Sequence, residues 1–275
     1  MSIFRFKKFS VDSGDSAMKV GTDAVILGAA AALPSFPETS GSDGKESPSR
    51  DSETSFLPST GIQVLDAGCG SGVIALMIAQ RLEAAGFREY NVTGVEIDGL
   101  AAKEAGRNFA ASPWSAQLRC LNASLLSFAP ETEYDLIVSN PPYYDASLLS
   151  PDSRRSTARH TGGEAFSYAQ LLEFAAGHLS AGGTLALILP HQEQTHLLRL
   201  AASYGLRALR LLHIRTTPSK EPSRLVAEFT SSAAPASHPS CTVESFLTIQ
   251  DAARFPQNKN SWTDEYLALT GDFYL

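Results

Sequence analysis

Asn140-Pro141-Pro142-Tyr143 gathers an amide, carbonyl oxygens and an aromatic ring within four residues. The apolar run before it, residues 134–139, predicts a strand buried in a parallel sheet. Two successive prolines end that strand, since neither has an N–H for the ladder and each restricts the residue before it. The corner therefore falls at the carboxyl end of a strand, where open α/β sheets bind ligands. Amide and carbonyl oxygens accept N–H groups while a ring stacks on a flat face, which suits a heteroaromatic amine. A rigid turn with a surface tyrosine is the bland reading of the same residues.

A second constellation, Asp66-Ala67-Gly68-Cys69-Gly70-Ser71-Gly72, sits between a predicted strand and a predicted helix. Glycines there let a ligand approach the backbone, and the following helix presents unpaired N–H groups. A dinucleotide fold would cradle a pyrophosphate at this place. Asp66, immediately before the glycines, would repel phosphate but suits an ammonium. Glu96 ends the next strand in Val95-Glu96-Ile97-Asp98, where an acid accepts both ribose hydroxyls. An amino acid at one end and an adenosine at the other describe S-adenosylmethionine. The alternatives are a helix cap for Asp66 and a solvated strand end for Glu96. NAD is disfavoured because the chain lacks a clear Gly-x-Gly-x-x-Gly and a hydride-transfer set.

The elements that must hold these residues alternate. Strands are expected at 62–67, 91–97, 117–121, 134–139 and 184–189, with helices at about 73–85, 99–111, 165–179 and 193–204. Residues 206–214 and 225–229 read as an antiparallel pair closing the sheet's edge. Such alternation predicts one doubly wound sheet rather than two independent domains. Before it come residues 3–11, a short strand or hairpin arm in which basic and aromatic residues interleave, as a nucleic-acid contact or a half-buried strand would have them. A small helix follows at 24–33, capped by Thr22 or Asp23. Residues 34–60, rich in Ser, Pro, Gly, Glu, Asp and Thr, read as a polar, flexible insertion. In the tail, 243–249 is a short strand and 261–269 a helix capped by Ser261 or Thr263. The expected organisation is 1–33 as an arm and helix over the cofactor site, 34–60 as the insertion, and 61–275 as the catalytic core and tail.

With 275 residues, 43% of them hydrophobic, the chain is long enough to bury a large core. Three cysteines, Cys69, Cys120 and Cys241, are too few and too scattered for a disulfide framework or a cysteine-rich zinc site, and no metal site is expected. No secretory leader and no membrane-spanning apolar stretch is read, which makes a cytoplasmic location the default. A net charge of −7 argues against indiscriminate nucleic-acid binding, but a local basic face can still steer a polyanion. Arg154, Arg155 and Arg159, in the loop after the proline corner, are the leading candidates for phosphate contacts, with Lys7, Lys8, Lys220 and Arg224 behind them. A solvated charged loop is the competing reading.

Residues 66–72 together with 140–143 resemble the class I S-adenosylmethionine-dependent methyltransferases that modify exocyclic amines. More narrowly, Phe4-Arg5-Phe6-Lys7-Lys8-Phe9, Ala17-Met18-Lys19-Val20-Gly21-Thr22-Asp23, Ser112-Pro113-Trp114, Ser139 to Tyr144 and Tyr266 to Leu275 resemble the bacterial tRNA(Val) adenine-37 N6-methyltransferases. The likeness spans the chain apart from residues 34–60. It implies an α/β, Rossmann-like class I methyltransferase fold with a doubly wound, seven-stranded, mostly parallel sheet and an antiparallel edge strand. It also implies that Asp66, Gly68 and Gly70 line the methionine end of S-adenosylmethionine, with Glu96 at the ribose. Lys19, Gly21 and Thr22 would lie over the cofactor, and Asn140, Pro141, Pro142 and Tyr143 would hold the target adenine. Where the family commonly has an acid near the cofactor adenine, this chain has Asn122-Ala123-Ser124, so Asn122 or Ser124 would bond the ring neutrally.

On this reading the chain methylates N6 of an adenine in the anticodon loop of tRNA, at position 37 of valine tRNA. Two competitors stand beside it. An N5-glutamine methyltransferase acting on a protein would use the same corner for a carboxamide, and a non-catalytic protein of this fold would only bind RNA.

Overall fold

The computed structural model describes residues 3–16, 19–34, 61–141, 166–234, 239–251, 253 and 261–274. An antiparallel hairpin of β1 (Ile3–Arg5) and β2 (Ser10–Asp12) precedes helix α1 (Thr22–Ala30). The alternation then runs β3 (Ile62–Ala67), α2 (Val73–Ala84), β4 (Tyr90–Glu96), α3 (Gly99–Ala110), β5 (Leu118–Asn122) and β6 (Tyr134–Ser139). It continues with α4 (Tyr168–His178), β7 (Leu179–Pro190), a 3₁₀ turn at His191–Glu193, α5 (Gln194–Ser203), β8 (Leu206–Arg215), β9 (Arg224–Ser231), β10 (Val243–Thr248) and α6 (Asp264–Thr270).

Eight of these strands form one sheet in the order β10-β8-β9-β7-β6-β3-β4-β5. The chain leaves β3 toward β4 and β5, then returns to pair β6 on the other side of β3, in parallel. That reversal opens a crevice at the carboxyl ends of β3 and β6. Both faces of the sheet's centre are covered, so its central strands are apolar on both sides. Val64, Leu136, Val138 and Ile188 pack under α1 and α2, while Leu65, Ile137, Leu187 and Leu189 pack under α4 and α5.

The doubly wound class is as expected, with corrections in detail. The described sheet has eight strands rather than seven, because β10 joins in parallel beside β8. The antiparallel member, β9, is not an edge: it lies between β7 and β8, and β10 takes the edge. Neither Thr22 nor Asp23 caps α1, whose N-cap is Gly21 with no side-chain bond. Thr263, one of two expected candidates, does cap α6, accepting from the Tyr266 amide at 3.1 Å. In the amino-terminal arm Phe6 and Phe9 are buried, with ring centroids 4.5 Å apart, so these aromatics serve the core rather than a nucleic acid. Residues 35–60 and the loop 142–165 lie outside the described residues.

Candidate active site

Strand β3 ends in a turn that only glycine satisfies. Gly68, Gly70 and Gly72 have φ of +73°, +53° and +82°, a region that side chains rarely adopt. A Cβ on Gly72 would enter the ring of Phe109, and one on Gly68 would meet Phe166 at 3.3 Å, whereas one on Gly70 would meet nothing within 4 Å among the described residues. Among those residues Gly70 shows bare backbone to open space.

That space is a cleft of about 320 Å³. Gly68, Cys69, Gly70 and Ser71 from the turn line it, with Val73 and Ile74 from the first turn of α2. Lys19 and Gly21 come from the segment leading into α1, Thr22, Asp23 and Ala24 from its first turn, and Asn140 from just past the end of β6. Sequence motifs separated by about 120 residues thus line one cleft. The Ser139 hydroxyl donates to the Ala67 carbonyl at 2.8 Å, fixing the β6 corner against the glycine turn. Nothing in the sequence singled out Ser139, because its role depends on which strand β6 pairs with.

Asp66 is fully buried beneath the turn and does not itself line the cleft. Its Oδ2 accepts from the Ala75 amide at 3.0 Å, satisfying an amide in the first turn of α2, while Oδ1 has no hydrogen-bond partner among the described residues. Burial pushes its carboxyl up to about 7; the Ala75 amide works in the opposite direction, and the Glu96 charge adds a smaller upward push. Glu96 is engaged at both oxygens: Oε2 accepts from Gly70 N at 2.8 Å and Oε1 from Asp98 N at 2.9 Å. It thereby ties the glycine turn to the start of α3, where the Asp98 side chain caps the amides of Leu100 and Ala101. A carboxylate oxygen has a second lone pair, so these bonds leave room for a hydroxyl donor.

Other expected residues have local employment. The Lys19 ammonium donates to the carbonyls of Ser13, Gly14 and Ser16, the last two at 3.1 and 3.4 Å. Asn122 donates to the carbonyls of Glu96 and Ile97 at 2.9 and 3.0 Å, bridging the ends of β4 and β5. The Ser124 hydroxyl accepts from the Leu126 amide at 3.3 Å. Lys7 holds the other terminus, its ammonium on the Gly271 carbonyl and its amide on that of Phe273. Arg224 pairs with Asp23 at 2.8 Å. Lys8 and Lys220 are exposed, and Pro141 is buried at the corner. Pro142, Tyr143, Arg154, Arg155 and Arg159 lie outside the described residues.

Cys69 is the one thiol among the described residues lining the cleft. Its sulfur is 3.7 Å from that of Cys120, and this hydrogen bond, followed by burial, pushes the thiol well above its ordinary value. A thiol so protonated is a poor nucleophile. The wall thus offers backbone, buried acid and amide groups, which can bind and orient. An unpartnered buried carboxylate oxygen behind an open glycine backbone fits a ligand carrying an ammonium beside an amino-acid chain.

Residues 54–207 match the family model for the methyltransferase small domain. Two solved structures share the fold. A predicted O-methyltransferase from Agrobacterium tumefaciens has a TM-score of 0.58 at 18% identity, covering 91% of this chain and 96% of its own. A Listeria monocytogenes protein assigned to the class I S-adenosylmethionine-dependent methyltransferases has a TM-score of 0.52 at 15% identity, covering 70% and 60%. Curated relatives match over nearly their whole length. The tRNA1(Val) (adenine(37)-N6)-methyltransferases of Flavobacterium psychrophilum and Photobacterium profundum are each 34% identical over 275 residues, covering 99% of this chain and 99% and 98% of theirs. That of Porphyromonas gingivalis is 38% identical over 277 residues, covering 99% and 94%. Such identity along the full chain, on a fold that brings the glycine turn and Asn140 to one cleft, places this protein in the tRNA1(Val) (adenine(37)-N6)-methyltransferase family.

Proposed function

We propose that the protein transfers a methyl group from S-adenosylmethionine to N6 of adenine 37 in the anticodon loop of valine tRNA, in the cytoplasm. One observation carries this reading: Asn140 lines the same cleft as the glycine turn and the segment Lys19, Gly21 and Thr22. On this reading an amine-orienting amide borders the donor's place. The activity of relatives sharing more than a third of their residues with this chain supplies the substrate.

When bound, S-adenosylmethionine supplies an electrophilic methyl on its sulfonium. Asp66 would receive the donor's ammonium through Oδ1, and Gly68 and Gly70 would face its amino-acid portion. Glu96 would accept a ribose hydroxyl, while Asn122 or Ser124 would bond its adenine. An adenine amine is a weak nucleophile because its lone pair is delocalised into the ring. The Asn140 side-chain oxygen and the Pro141 carbonyl accept its two N–H hydrogens, aiming the lone pair and holding a near-attack geometry. Tyr143 stacks on the base with Pro142 beside it, a contact worth ~1–3 kcal/mol. The base leaves its stack to enter, which costs least in an unpaired loop. Arg154, Arg155 and Arg159, with Lys8 and Lys220, supply phosphate contacts. Lys7 and Arg224, each bonded within the protein, are weaker candidates for that role.

Labelled methyl transfer to total tRNA, with and without valine tRNA, followed by nucleoside analysis, tests the function. N6-methyladenosine appearing only with valine tRNA is expected. Methylglutamine on a protein, or tRNA binding without turnover, would transfer the case to one of the competing readings. Reversing Arg154 and Arg155 to Glu should weaken tRNA binding far more than donor binding.

A further inference from the structure

Helix α3 carries two buried polar side chains four residues apart, hence on one face. Glu104 is fully buried, and its carboxylate accepts three bonds from a single turn of the amino-terminal segment. Oε2 takes the Asp15 amide at 2.6 Å, and Oε1 takes the Ser16 amide at 3.1 Å and also the Ser16 hydroxyl. Asn108, 5% exposed, exchanges bonds with Asp12 in both directions, at 3.0 and 2.8 Å. Its amide also donates to the Ser71 carbonyl at 2.8 Å, within the glycine turn. The Lys19 ammonium then closes the same segment by bonding three of its carbonyls. An ammonium has three donors, so this clasp uses its capacity.

A buried carboxylate is costly unless its acceptors are met. Among the described residues every donor to Glu104 comes from residues 15 and 16, so the group constrains where that turn can lie. The segment then continues to Lys19, Gly21 and Thr22, which form one wall of the cleft. The same helix begins at Asp98, whose amide is held by Glu96. One rigid element therefore registers both the ribose-end acid and the opposite wall. We infer that Glu104 and Asn108 are positioning residues: they latch the amino-terminal segment to α3 and so set the wall over the donor, with Lys19 acting as the clasp of that segment rather than as a ligand. This rests on the donor-site reading above.

The experiment combines steady-state kinetics with calorimetric binding of S-adenosylhomocysteine to the full chain. Glu104→Ala should raise KM for S-adenosylmethionine and weaken S-adenosylhomocysteine binding by about tenfold or more, as expected for loss of bonds to a charged group. With both substrates saturating, kcat should stay within about threefold, because the Asn140 corner belongs to β6. Glu104→Gln keeps one acceptor oxygen for Ser16 but turns an NH₂ toward the Asp15 amide, so it should restore part of the binding. Arg107→Ala removes only the exposed ion pair to Asp15 and should change KM by less than about twofold. Amide exchange at residues 15 and 16 should accelerate in Glu104→Ala while β3 and β6 stay protected. If Glu104→Ala does not fold, Glu104→Gln with Asn108→Ala carries the same split. Wild-type KM in a folded variant, or equal losses in kcat and binding, would overturn the latch. Failure of the wild-type protein to bind S-adenosylhomocysteine would instead sink the donor-site reading itself.

Discussion

The two sides of the cleft are built differently. On the side proposed to hold the donor, the ends of β3 and β4 are tied down by carboxylates accepting from backbone amides: Glu96 spans Gly70 and Asp98, and Asp66 takes the Ala75 amide of α2. On the side proposed for the amine, β6 ends in Asn140 and a buried Pro141, held to β3 by the Ser139 hydroxyl. Within the donor side the two acids differ again. Both close neighbouring parallel strands, yet Glu96 has two amide partners while Asp66 keeps one buried oxygen unpartnered. Position on the sheet does not assign a role; the donors within reach of each oxygen do. The donor side should therefore govern affinity and the amine side turnover.

The largest effect is expected on the amine side. Asn140→Ala should lower kcat by about 10²–10³-fold, as removal of one preorganised hydrogen-bonding group does elsewhere. S-adenosylhomocysteine affinity should hardly change. If kcat survives, the division between the two sides fails. Next is Asp66→Asn, which removes the charge offered to an ammonium. KM for S-adenosylmethionine should rise by about 10–100-fold while kcat at saturation holds, a pattern that steady-state kinetics reads directly.

A pH series sharpens the contrast between the two acids. With the Asp66 carboxyl near 7, S-adenosylhomocysteine should bind more tightly as pH rises through that value, by at most about tenfold per unit. Stability of the ligand-free protein should run the other way. The folded state holds the Asp66 proton more firmly than the unfolded chain, whose carboxyl titrates at its usual 3.8. This contribution is greatest at low pH, declines as pH rises from about 4 to about 7, and is flat above. Asp66→Asn should abolish both slopes in calorimetry and thermal melts. The smallest effect belongs to the rim of the donor side, where Arg224 pairs with Asp23. Arg224→Ala should cost no more than about 1 kcal/mol in a denaturant titration.

Much of the donor side was legible because it is local. A strand, three glycines and a helix occupy consecutive residues, and the positive φ values are those that glycine spacing signals. The proline corner was legible for the same reason, since proline acts on its own strand and the residue before it. The order of strands at the far edge was not. Residues 225–229 look equally antiparallel whether β9 ends the sheet or lies inside it, and only the parallel pairing of β10 with β8 settles which strand takes the edge. The sequence offers Arg224 and Lys7 as secondary candidates for phosphate contacts but does not show their partners, which lie about 200 or more residues away. Glu104 and Asn108 gave no signal at all, since a polar pair four residues apart on a helix usually faces water.

The sequence by itself determined the alternation of elements, the glycine turn and the stiff Asn-Pro-Pro corner. These depend on backbone preferences that act over a few residues, so composition and spacing carry them. Only the tertiary structure decided which of the acids would be left with an unpartnered oxygen, which lysine would close a turn, and which helix would hold the amino-terminal segment. Those outcomes depend on donors and acceptors brought together from distant parts of the chain, and a polar side chain takes its role from the partners that folding places within about 3 Å of it.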